Sequence, residues 1–193
     1  MEKIKPNIIL ITIDCLRADH MSCYGYKRKT TPFIDKLAEE GMQFMNAFTN
    51  GSFTALSVLS FLTSRLPFLW SGGVSIVELL KKNGYYTMAF VPNALVLIQK
   101  EINIRKGFVF FQTFLDYKKI KIKDKISKYV KKFRFTHKLL TKFYVHFSPN
   151  ISIPYARAHE INKKVFEYLK EIRQPFFLWI HYMDAHQPTL PPN

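Results

Sequence analysis

The chain has 193 residues, 48% of them hydrophobic, which is enough to bury a core of its own. Its formal net charge is +15, and its two cysteines exclude a small domain held together by several disulfides. No stretch approaches the ~20 apolar residues of a membrane span, and residues 1–6 are too short and polar for a secretory signal, so we expect a cytoplasmic protein.

The first predicted element is a strand from Asn7 to Ile13 that ends at Asp14. A continuous apolar run of this length is typical of a strand buried on both faces, as in parallel α/β sheets. Such sheets bind ligands outside the carboxyl ends of their strands. Asp14 is therefore a candidate site residue, because carboxylate oxygens are the ligands that hard divalent cations need. A turn or helix-capping role is the alternative from the residues alone.

Predicted helices and strands alternate along the rest of the chain. Helices are predicted at residues 32–40, from Ser52 or Thr54 to about 64, at 75–82 and at 154–173. Strands are predicted at residues 42–49, 85–91 and 176–182. The first helix should have Thr31 as its N-cap and Gly41 as its C-cap, and should face the sheet with Phe33, Ile34, Leu37 and Ala38. The alternation predicts the α/β class, with a mostly parallel sheet between helices.

A lysine-rich segment interrupts this alternation from about residue 118 to residue 149. Residues 118–142 contain eleven Lys or Arg and one acid, Asp124. We interpret the segment as a solvated surface insertion. Contact with an anionic membrane surface is the less favoured interpretation, and nothing else in the sequence indicates nucleic-acid binding.

The two cysteines, Cys15 and Cys23, are predicted to be reduced thiols. Cys15 should be packed behind the end of the first strand, and Cys23 should lie in a turn. We therefore expect no disulfide between them.

Several motifs, in chain order, resemble the sulfatase family of the alkaline phosphatase superfamily. They are Asp14-x-Leu-Arg-Ala-Asp-His20, Cys23-Tyr-Gly-Tyr26, Thr31-Pro-x-Ile-Asp-x-Leu-Ala-x-Glu-Gly41, Asn46-Ala-Phe48, Leu62-Thr-Ser64, and the runs at 83–87 and 176–188. The resemblance implies a three-layer α/β/α sandwich of the alkaline-phosphatase type. It also implies a divalent metal ion as cofactor and a small-molecule or glycan ester of sulfate or phosphate as substrate.

Catalytic domains of this family are longer than this chain, and their second half carries an Asp-His pair that completes the metal site. The resemblance therefore implies that residues 1–193 are the N-terminal portion of a sulfatase-like domain. A fragment, a truncated reading frame and one piece of a split protein are the alternatives. In the last case, a separate C-terminal half would be a partner.

The resemblance implies that Asp14 is a metal ligand. Many sulfatases have two consecutive aspartates here, whereas this chain has Asp14 followed by Cys15. One oxygen ligand is lost, which weakens the case for calcium. Relatives that cleave phosphonate or phosphate esters often keep a single aspartate and tend to use manganese or zinc. Calcium, manganese and zinc therefore stay open.

Counting back from Leu62-Thr63-Ser64, Thr54 lies where sulfatases have the first residue of Cys/Ser-x-Pro-x-Arg. In sulfatases that residue is oxidised to formylglycine. Threonine does not form it, and the proline and arginine are absent here, so no formylglycine is expected. Phosphodiesterases and phosphoglycerol transferases of the superfamily use threonine as the nucleophile. Thr54 is thus either a nucleophile whose pKa a metal lowers or an ordinary helix N-cap.

Other candidate residues follow predicted strands or belong to the first motif. The histidine equivalent to His186 contacts the sulfate or phosphate in relatives, or protonates the leaving group. Asn93 follows a strand and is a candidate for binding a substrate oxygen. Arg17 is a candidate substrate-binding residue, with pairing to Asp19 as its alternative. His181 lies within a strand and is predicted to be a core histidine with its hydrogen bonds satisfied.

The implied function is metal-dependent hydrolysis of a sulfate or phosphate ester by in-line attack of Thr54. Asp14 would hold the metal ion, and His186 would assist the leaving group. One alternative is a phosphodiesterase or phosphoglycerol-transferase-like enzyme that uses Thr54 to transfer a phospho-alcohol group. The other is a catalytically inactive remnant, which the missing Asp-His half and the altered motif favour.

Overall fold

The computed structural model describes residues 4–66, 73–92, 104–114 and 155–186. In these ranges one parallel sheet is formed by strands β1 (Ile8–Ile13), β2 (Tyr86–Val91), β3 (Phe110–Thr113) and β4 (Phe176–Tyr182). The strand order is β1-β4-β2-β3. The described helices are α1 (Pro32–Glu40), α2 (Thr54–Thr63), α3 (Ile76–Lys82) and α4 (Ala158–Leu169). Asn93 and the lysine-rich segment lie outside the described residues.

Helices cover the sheet on both faces, so the predicted three-layer α/β/α class is confirmed. Side chains of β4 alternate between two cores because successive residues of a strand point to opposite faces. Phe177 and Trp179 pack with Val58 of α2 and Val77 of α3 on one face. The other face packs against α4 through a set of buried apolar side chains, namely Met88, Phe90, Ile161, Val165, Phe176, Leu178 and Ile180.

Polar contacts and a glycine fix the two ends of α3, which was predicted at residues 75–82. The backbone N–H of Glu78 donates to Ser75 Oγ (3.2 Å), and the N–H of Ser75 donates to Glu78 Oε2 (3.0 Å), which forms a capping box. The helix ends before Gly84, whose φ of 86° lies in the left-handed region that glycine adopts without strain. These two ends orient α3 so that Val77 is buried against the sheet.

β1 is covered on one face only, so the prediction of burial on both faces is wrong. Ile8, Leu10 and Thr12 are half-buried towards α2, whereas Ile9 and Ile11 are 53% and 52% exposed. β1 ends the strand order and pairs with β4 alone in the described sheet. No helix in the described ranges packs on its second face. An apolar run predicts a strand but does not report what covers each face.

α1 is also oriented differently from the prediction. Phe33 and Leu37 are 85% and 65% exposed instead of facing the sheet. The helix is held to the short 3-10 turn Ser22–Tyr24, since Asp35 accepts hydrogen bonds from Ser22 Oγ (2.6 Å) and Thr31 Oγ1 (2.9 Å). Thr31 occupies the N-cap position, but its hydroxyl bonds Asp35 and does not cap the N–H groups of α1. Polar contacts therefore decide the orientation of α1.

Other boundaries differ from the sequence prediction. Residues 42–49 form no strand, and they are tied to the Ser22–Tyr24 turn instead, because Tyr24 Oη donates to Phe44 O (2.9 Å) and Gln43 Nε2 donates to Cys23 O (2.8 Å). α4 begins at Ala158 and ends at Leu169, inside the predicted range of 154–173. β3 was not predicted. Among the described helices, none is long and apolar enough to cross a bilayer.

Replacing Ile161 by alanine should destabilise the protein, because this side chain is fully buried between α4 and the sheet. We expect the free energy of unfolding to fall by about 2–5 kcal/mol, measured by urea denaturation. Phe166→Ala is the matched control on the same helix, since Phe166 is 62% exposed, and should cost less than about 1 kcal/mol. Equal losses would contradict the packing of α4 described above.

Candidate active site

Strand geometry carries Asp14 to the α2 side of the sheet. In β1, residues 8, 10 and 12 face α2, and Asp14 continues that alternation one step beyond the strand. The N–H of Asp14 donates to Tyr182 O (2.9 Å), which extends the β1–β4 ladder and fixes the backbone at this point. The Asp14 side chain is 13% exposed. The carboxylate is therefore held at the carboxyl end of the sheet, as the sequence predicts.

Thr54 lies directly against this carboxylate. It is the first residue of α2, and its Oγ1 donates a hydrogen bond of 2.7 Å to Asp14 Oδ2 across 40 residues of sequence. Phe53 occupies the N-cap position of α2. The Thr54 hydroxyl bonds Asp14 and not the free N–H groups of the helix, so the N-cap interpretation of Thr54 is wrong. A hydroxyl at a helix N-terminus lies in the positive end of the helix dipole, where negative charge is stabilised.

His186 joins Asp14 from the turn after β4. The N–H of His186 donates to Met183 O (2.9 Å), which folds the chain back towards the strand end. The potential ligand atoms of Asp14, Cys15 and His186 all lie within 4.8 Å of one another. The structure thus brings together the acid, the hydroxyl and the imidazole that the sequence predicts to be near one another.

Cys15 is exposed and is not packed behind the strand as predicted. Its φ of 57° is left-handed, so the chain leaves the strand direction immediately after Asp14 and brings the thiol back beside the Asp14 carboxylate. Cys15 Sγ donates to Asp14 Oδ1 at 3.5 Å. Burial and the neighbouring Asp14 raise the pKa of this thiol. Cys15 and Cys23 are both free thiols.

His181 is buried beside Asp14, and only one of its ring nitrogens is satisfied. Its Nδ1 lies 2.8 Å from Thr12 Oγ1. Its Nε2 lies 3.8 Å from Asp14 Oδ2 and has no hydrogen-bond partner among the described residues. The prediction of a satisfied core histidine is therefore wrong for Nε2. Periodicity places a residue in a core but does not supply its hydrogen-bond partners.

Thr12 favours one tautomer of His181. Trp179 Nε1 donates to Thr12 Oγ1 (3.0 Å), which leaves the hydroxyl proton of Thr12 for another acceptor. His181 Nδ1 is at 2.8 Å and Ile180 O is at 3.5 Å, so Nδ1 is the better acceptor. The proton of a neutral His181 is then assigned to Nε2, which faces Asp14.

The turn that carries His186 is braced by residues that the sequence analysis did not select. Tyr155 Oη donates to His186 O (2.8 Å), and burial raises the pKa of this hydroxyl, so it stays a neutral donor. Arg157 Nε lies 3.4 Å from Asp184 Oδ1, and the N–H of Ala158 donates to Asp184 Oδ2 (3.0 Å). In the sequence, the place of Asp184 in the Asp-Ala-His motif could have indicated that it helps to position His186. These contacts hold His186 against the start of α4.

Arg17 forms a surface pair with Asp19. Arg17 Nη2 and Nε donate to the two carboxylate oxygens of Asp19 at 2.6 and 2.9 Å. These hydrogen bonds hold the pKa of Asp19 well below its usual range. The alternative that Arg17 pairs with Asp19 is therefore confirmed, and its role in substrate binding stays a prediction. Asn93 lies outside the described residues, so its role stays a prediction too.

The side chains at this strand end fit a divalent cation. Asp14 offers a carboxylate, His186 an imidazole and Cys15 a thiol, and all three converge on one small volume. Such mixed donor sets bind transition metals such as zinc. The Thr54 hydroxyl shares Asp14 with this donor set, so a cation there would lie close to the hydroxyl oxygen.

The stability of the metal-free protein should depend on pH through His181. Burial lowers the pKa of His181 from 6.5 to about 4, so the unfolded chain takes up this proton at a higher pH than the folded chain. Above the pKa of the unfolded state, His181 should add no pH dependence to the free energy of unfolding. As the pH falls from 6.5 to about 4, the free energy of unfolding should decrease by up to about 3 kcal/mol, because the unfolded chain binds this proton and the folded chain does not.

This loss is measured by urea denaturation across that pH window. His181→Gln should flatten the profile, whereas His159→Gln, at an exposed position on α4, should leave it unchanged. An unchanged slope in His181→Gln would contradict the assignment.

Comparison with known proteins identifies the family of this chain. Residues 6–193 match the family described as Sulfatase. The iduronate 2-sulfatase of Mus musculus is 30% identical over 204 residues, which cover 96% of this chain and 35% of that protein. The chain therefore spans well under two thirds of the length of this relative.

Solved structures share the fold at low sequence identity. The phosphonate monoester hydrolase of Agrobacterium radiobacter superposes with a TM-score of 0.62 at 15% identity, over 95% of this chain and 42% of that one. The C-terminal periplasmic domain of EcEptC from Escherichia coli, in complex with Zn, superposes with a TM-score of 0.62 at 16% identity. The match covers 96% of this chain and 45% of that one. With the family match over almost its whole length, the chain belongs to the sulfatase family and has the fold of the alkaline phosphatase superfamily.

Proposed function

We propose that this chain carries the nucleophile and part of the metal site of a metal-dependent hydrolase that cleaves sulfate or phosphate esters. The observation that carries the proposal is the 2.7 Å hydrogen bond from Thr54 Oγ1 to Asp14 Oδ2. It joins the helix start and the strand end at which the family places its nucleophile and its metal ligand. Family membership supports ester hydrolysis as the class of reaction.

Thr54 is positioned to be the nucleophile. Its proton points at Asp14, so the lone pairs of Oγ1 are directed away from the carboxylate and are available for attack. A divalent cation bound by Asp14 and His186 would lower the pKa of the hydroxyl and offset the charge of the ester. The N-terminal end of α2 adds stabilisation for the negative charge that develops on the oxygen.

The reaction divides into two displacements. In the first, Thr54 Oγ1 forms a bond to the sulfur or phosphorus, the bond to the ester oxygen breaks, and the hydroxyl proton leaves through Asp14. As a ligand of the cation His186 would be a neutral imidazole, so the leaving oxygen takes up its proton from a water molecule. In the second, a water molecule attacks the sulfur or phosphorus of the threonyl ester and loses a proton to solvent. The bond to Thr54 Oγ1 breaks, the inorganic anion is released, and a proton returns through Asp14 to restore the Thr54 hydroxyl.

The alternative is a transferase, in which an alcohol replaces the water of the second step. Thr54 favours this possibility, because a threonyl ester is a stable enough species to wait for a second acceptor, and formylglycine chemistry is not open to threonine. A phosphonate monoester hydrolase shares the fold, so the fold is compatible with a phosphorus ester as well as a sulfate ester. The zinc complex of a second fold neighbour supports a divalent cation as the cofactor.

Thr54→Val should abolish turnover while leaving the fold intact, because valine keeps the shape of the side chain and removes only the hydroxyl. We expect a loss on the order of 10⁴-fold or more in kcat, as for removal of other nucleophiles. The measurement uses the metal-loaded chain with the p-nitrophenyl esters of sulfate, phosphate and phenylphosphonate, and with bis(p-nitrophenyl) phosphate.

Thr63→Val is the matched control, since Thr63 lies on the same helix and its hydroxyl donates only to Leu59 O (2.7 Å). It should retain full activity. Mass spectrometry of quenched reactions should detect one covalent adduct, a phosphoryl or sulfuryl group on Thr54, in the native chain and not in Thr54→Val. Equal turnover in native protein and Thr54→Val would remove Thr54 from the mechanism. A folded, metal-loaded chain that turns over none of the esters would support the inactive-remnant alternative.

A further inference from the structure

We propose that Cys15 is a ligand of the metal ion and that this makes the site selective for a thiophilic cation, zinc, over calcium or manganese. The inference rests on the proposed function, because it assigns a third ligand to the metal site formed by Asp14 and His186. Binding breaks the S–H bond of Cys15, forms a sulfur–metal bond and releases one proton to solvent.

The distance between two of the donor atoms already suits zinc. Cys15 Sγ and Asp14 Oδ1 lie 3.5 Å apart. A tetrahedral zinc ion with a Zn–S bond of about 2.3 Å and a Zn–O bond of about 2.0 Å requires a separation of about 3.5 Å between sulfur and oxygen. The ligand atom of His186 lies within 4.8 Å of both, so movement of one side chain by about an ångström would bring it to the third position.

The two oxygens of Asp14 have separate neighbours. Oδ2 accepts from the Thr54 hydroxyl at 2.7 Å and faces His181, whereas Oδ1 faces the Cys15 sulfur. A cation held by Oδ1, Sγ and His186 would therefore leave the hydrogen bond from Thr54 intact. Three protein ligands leave one tetrahedral position open, which is the arrangement of catalytic zinc sites.

An independent observation also indicates that this pocket binds a ligand. His181 is 3% exposed, and its Nε2 has no hydrogen-bond partner among the described residues, although it lies 3.8 Å from Asp14 Oδ2. A buried polar atom without a hydrogen bond is destabilising, so its position beside the donor cluster indicates an occupant that it can bond. Water or an anion on the open position of a metal ion is such an occupant.

The backbone at Cys15 directs the thiol into the site. Cys15 adopts a φ of 57°, a left-handed conformation that is unfavourable for a non-glycine residue. This conformation turns Sγ back over the carboxylate of its own neighbour, at 3.5 Å. The simpler interpretation is a hydrogen bond from thiol to carboxylate that has no role in metal binding. The two interpretations differ in what happens when a metal is added.

Cobalt(II) distinguishes them, because a thiolate bound to cobalt gives an intense charge-transfer band in the near ultraviolet. The metal-free chain is titrated with cobalt(II) under reducing conditions, and zinc is then added to displace it. We expect the band in the native chain and in Cys23→Ser, and no band in Cys15→Ser. The chain has only these two cysteines, so Cys23→Ser is a complete control.

Affinities give a second readout. In competition titrations, Cys15→Ser should weaken zinc binding by more than about 100-fold and change manganese binding little. Loss of a residue that only supports a ligand weakens metal binding by about 10–100-fold, so a larger loss indicates a direct ligand. Cys15→Asp should shift the preference towards manganese and calcium, because it replaces sulfur by oxygen. Circular dichroism and urea denaturation establish that each variant is folded.

The outcomes separate this inference from the proposed function. Cobalt binding without a thiolate band in the native chain, or a band that survives in Cys15→Ser, would overturn the role of Cys15 and leave the proposed hydrolase untouched. A band that depends on Cys15 in a chain without turnover would support the inference and contradict the proposed function. A folded chain that binds neither cobalt nor zinc would overturn both.

Discussion

The parallel pairing of β1 with β4 is the interaction on which the rest of the structure depends. It joins residues at opposite ends of the described chain, with Ile8 opposite Phe177 and Thr12 opposite His181. Pairing over such a separation carries a large entropic cost of loop closure, which burial of Trp179 and its neighbours must offset. Asp14 and Cys15 directly follow β1, whereas His181 lies in β4 and His186 follows it. The site therefore exists only when this pair of strands is in register.

A shift of one residue in that register would take the site apart. The side-chain period of a strand is two, so such a slip would carry His181 to the α4 face and away from Thr12. The hydrogen bonds from Trp179 to Thr12 and between Thr12 and His181 hold the present register with polar contacts inside an apolar layer. A polar network in a core specifies one arrangement more sharply than apolar packing does, because every alternative leaves polar atoms without partners.

The sequence predicts the elements of this fold better than it predicts their surroundings. The strands at both ends, α2, α3 and the parallel α/β class follow from runs and periods of apolar residues, and Asp14, Thr54 and His186 follow from motifs. The exposed face of β1 and the outward orientation of Phe33 and Leu37 do not, because they depend on which elements are present to cover them. The geometry of Cys15 and the free Nε2 of His181 depend on a single backbone torsion and on contacts across the sheet. Local sequence patterns contain neither.

In the part of the chain that the structure describes, β1 has an exposed face and an edge without a neighbouring strand, and this affects how copies of the chain behave in solution. Within the described sheet, the strand presents Ile9 and Ile11 to water and pairs along one edge only, which is a template for stacking against another strand. The net charge of +15 keeps copies apart through electrostatic repulsion, and dissolved ions weaken that repulsion. The solubility of the chain therefore depends on two opposing effects: association through the exposed strand β1, and electrostatic repulsion between positively charged copies. High ionic strength screens the repulsion and favours precipitation.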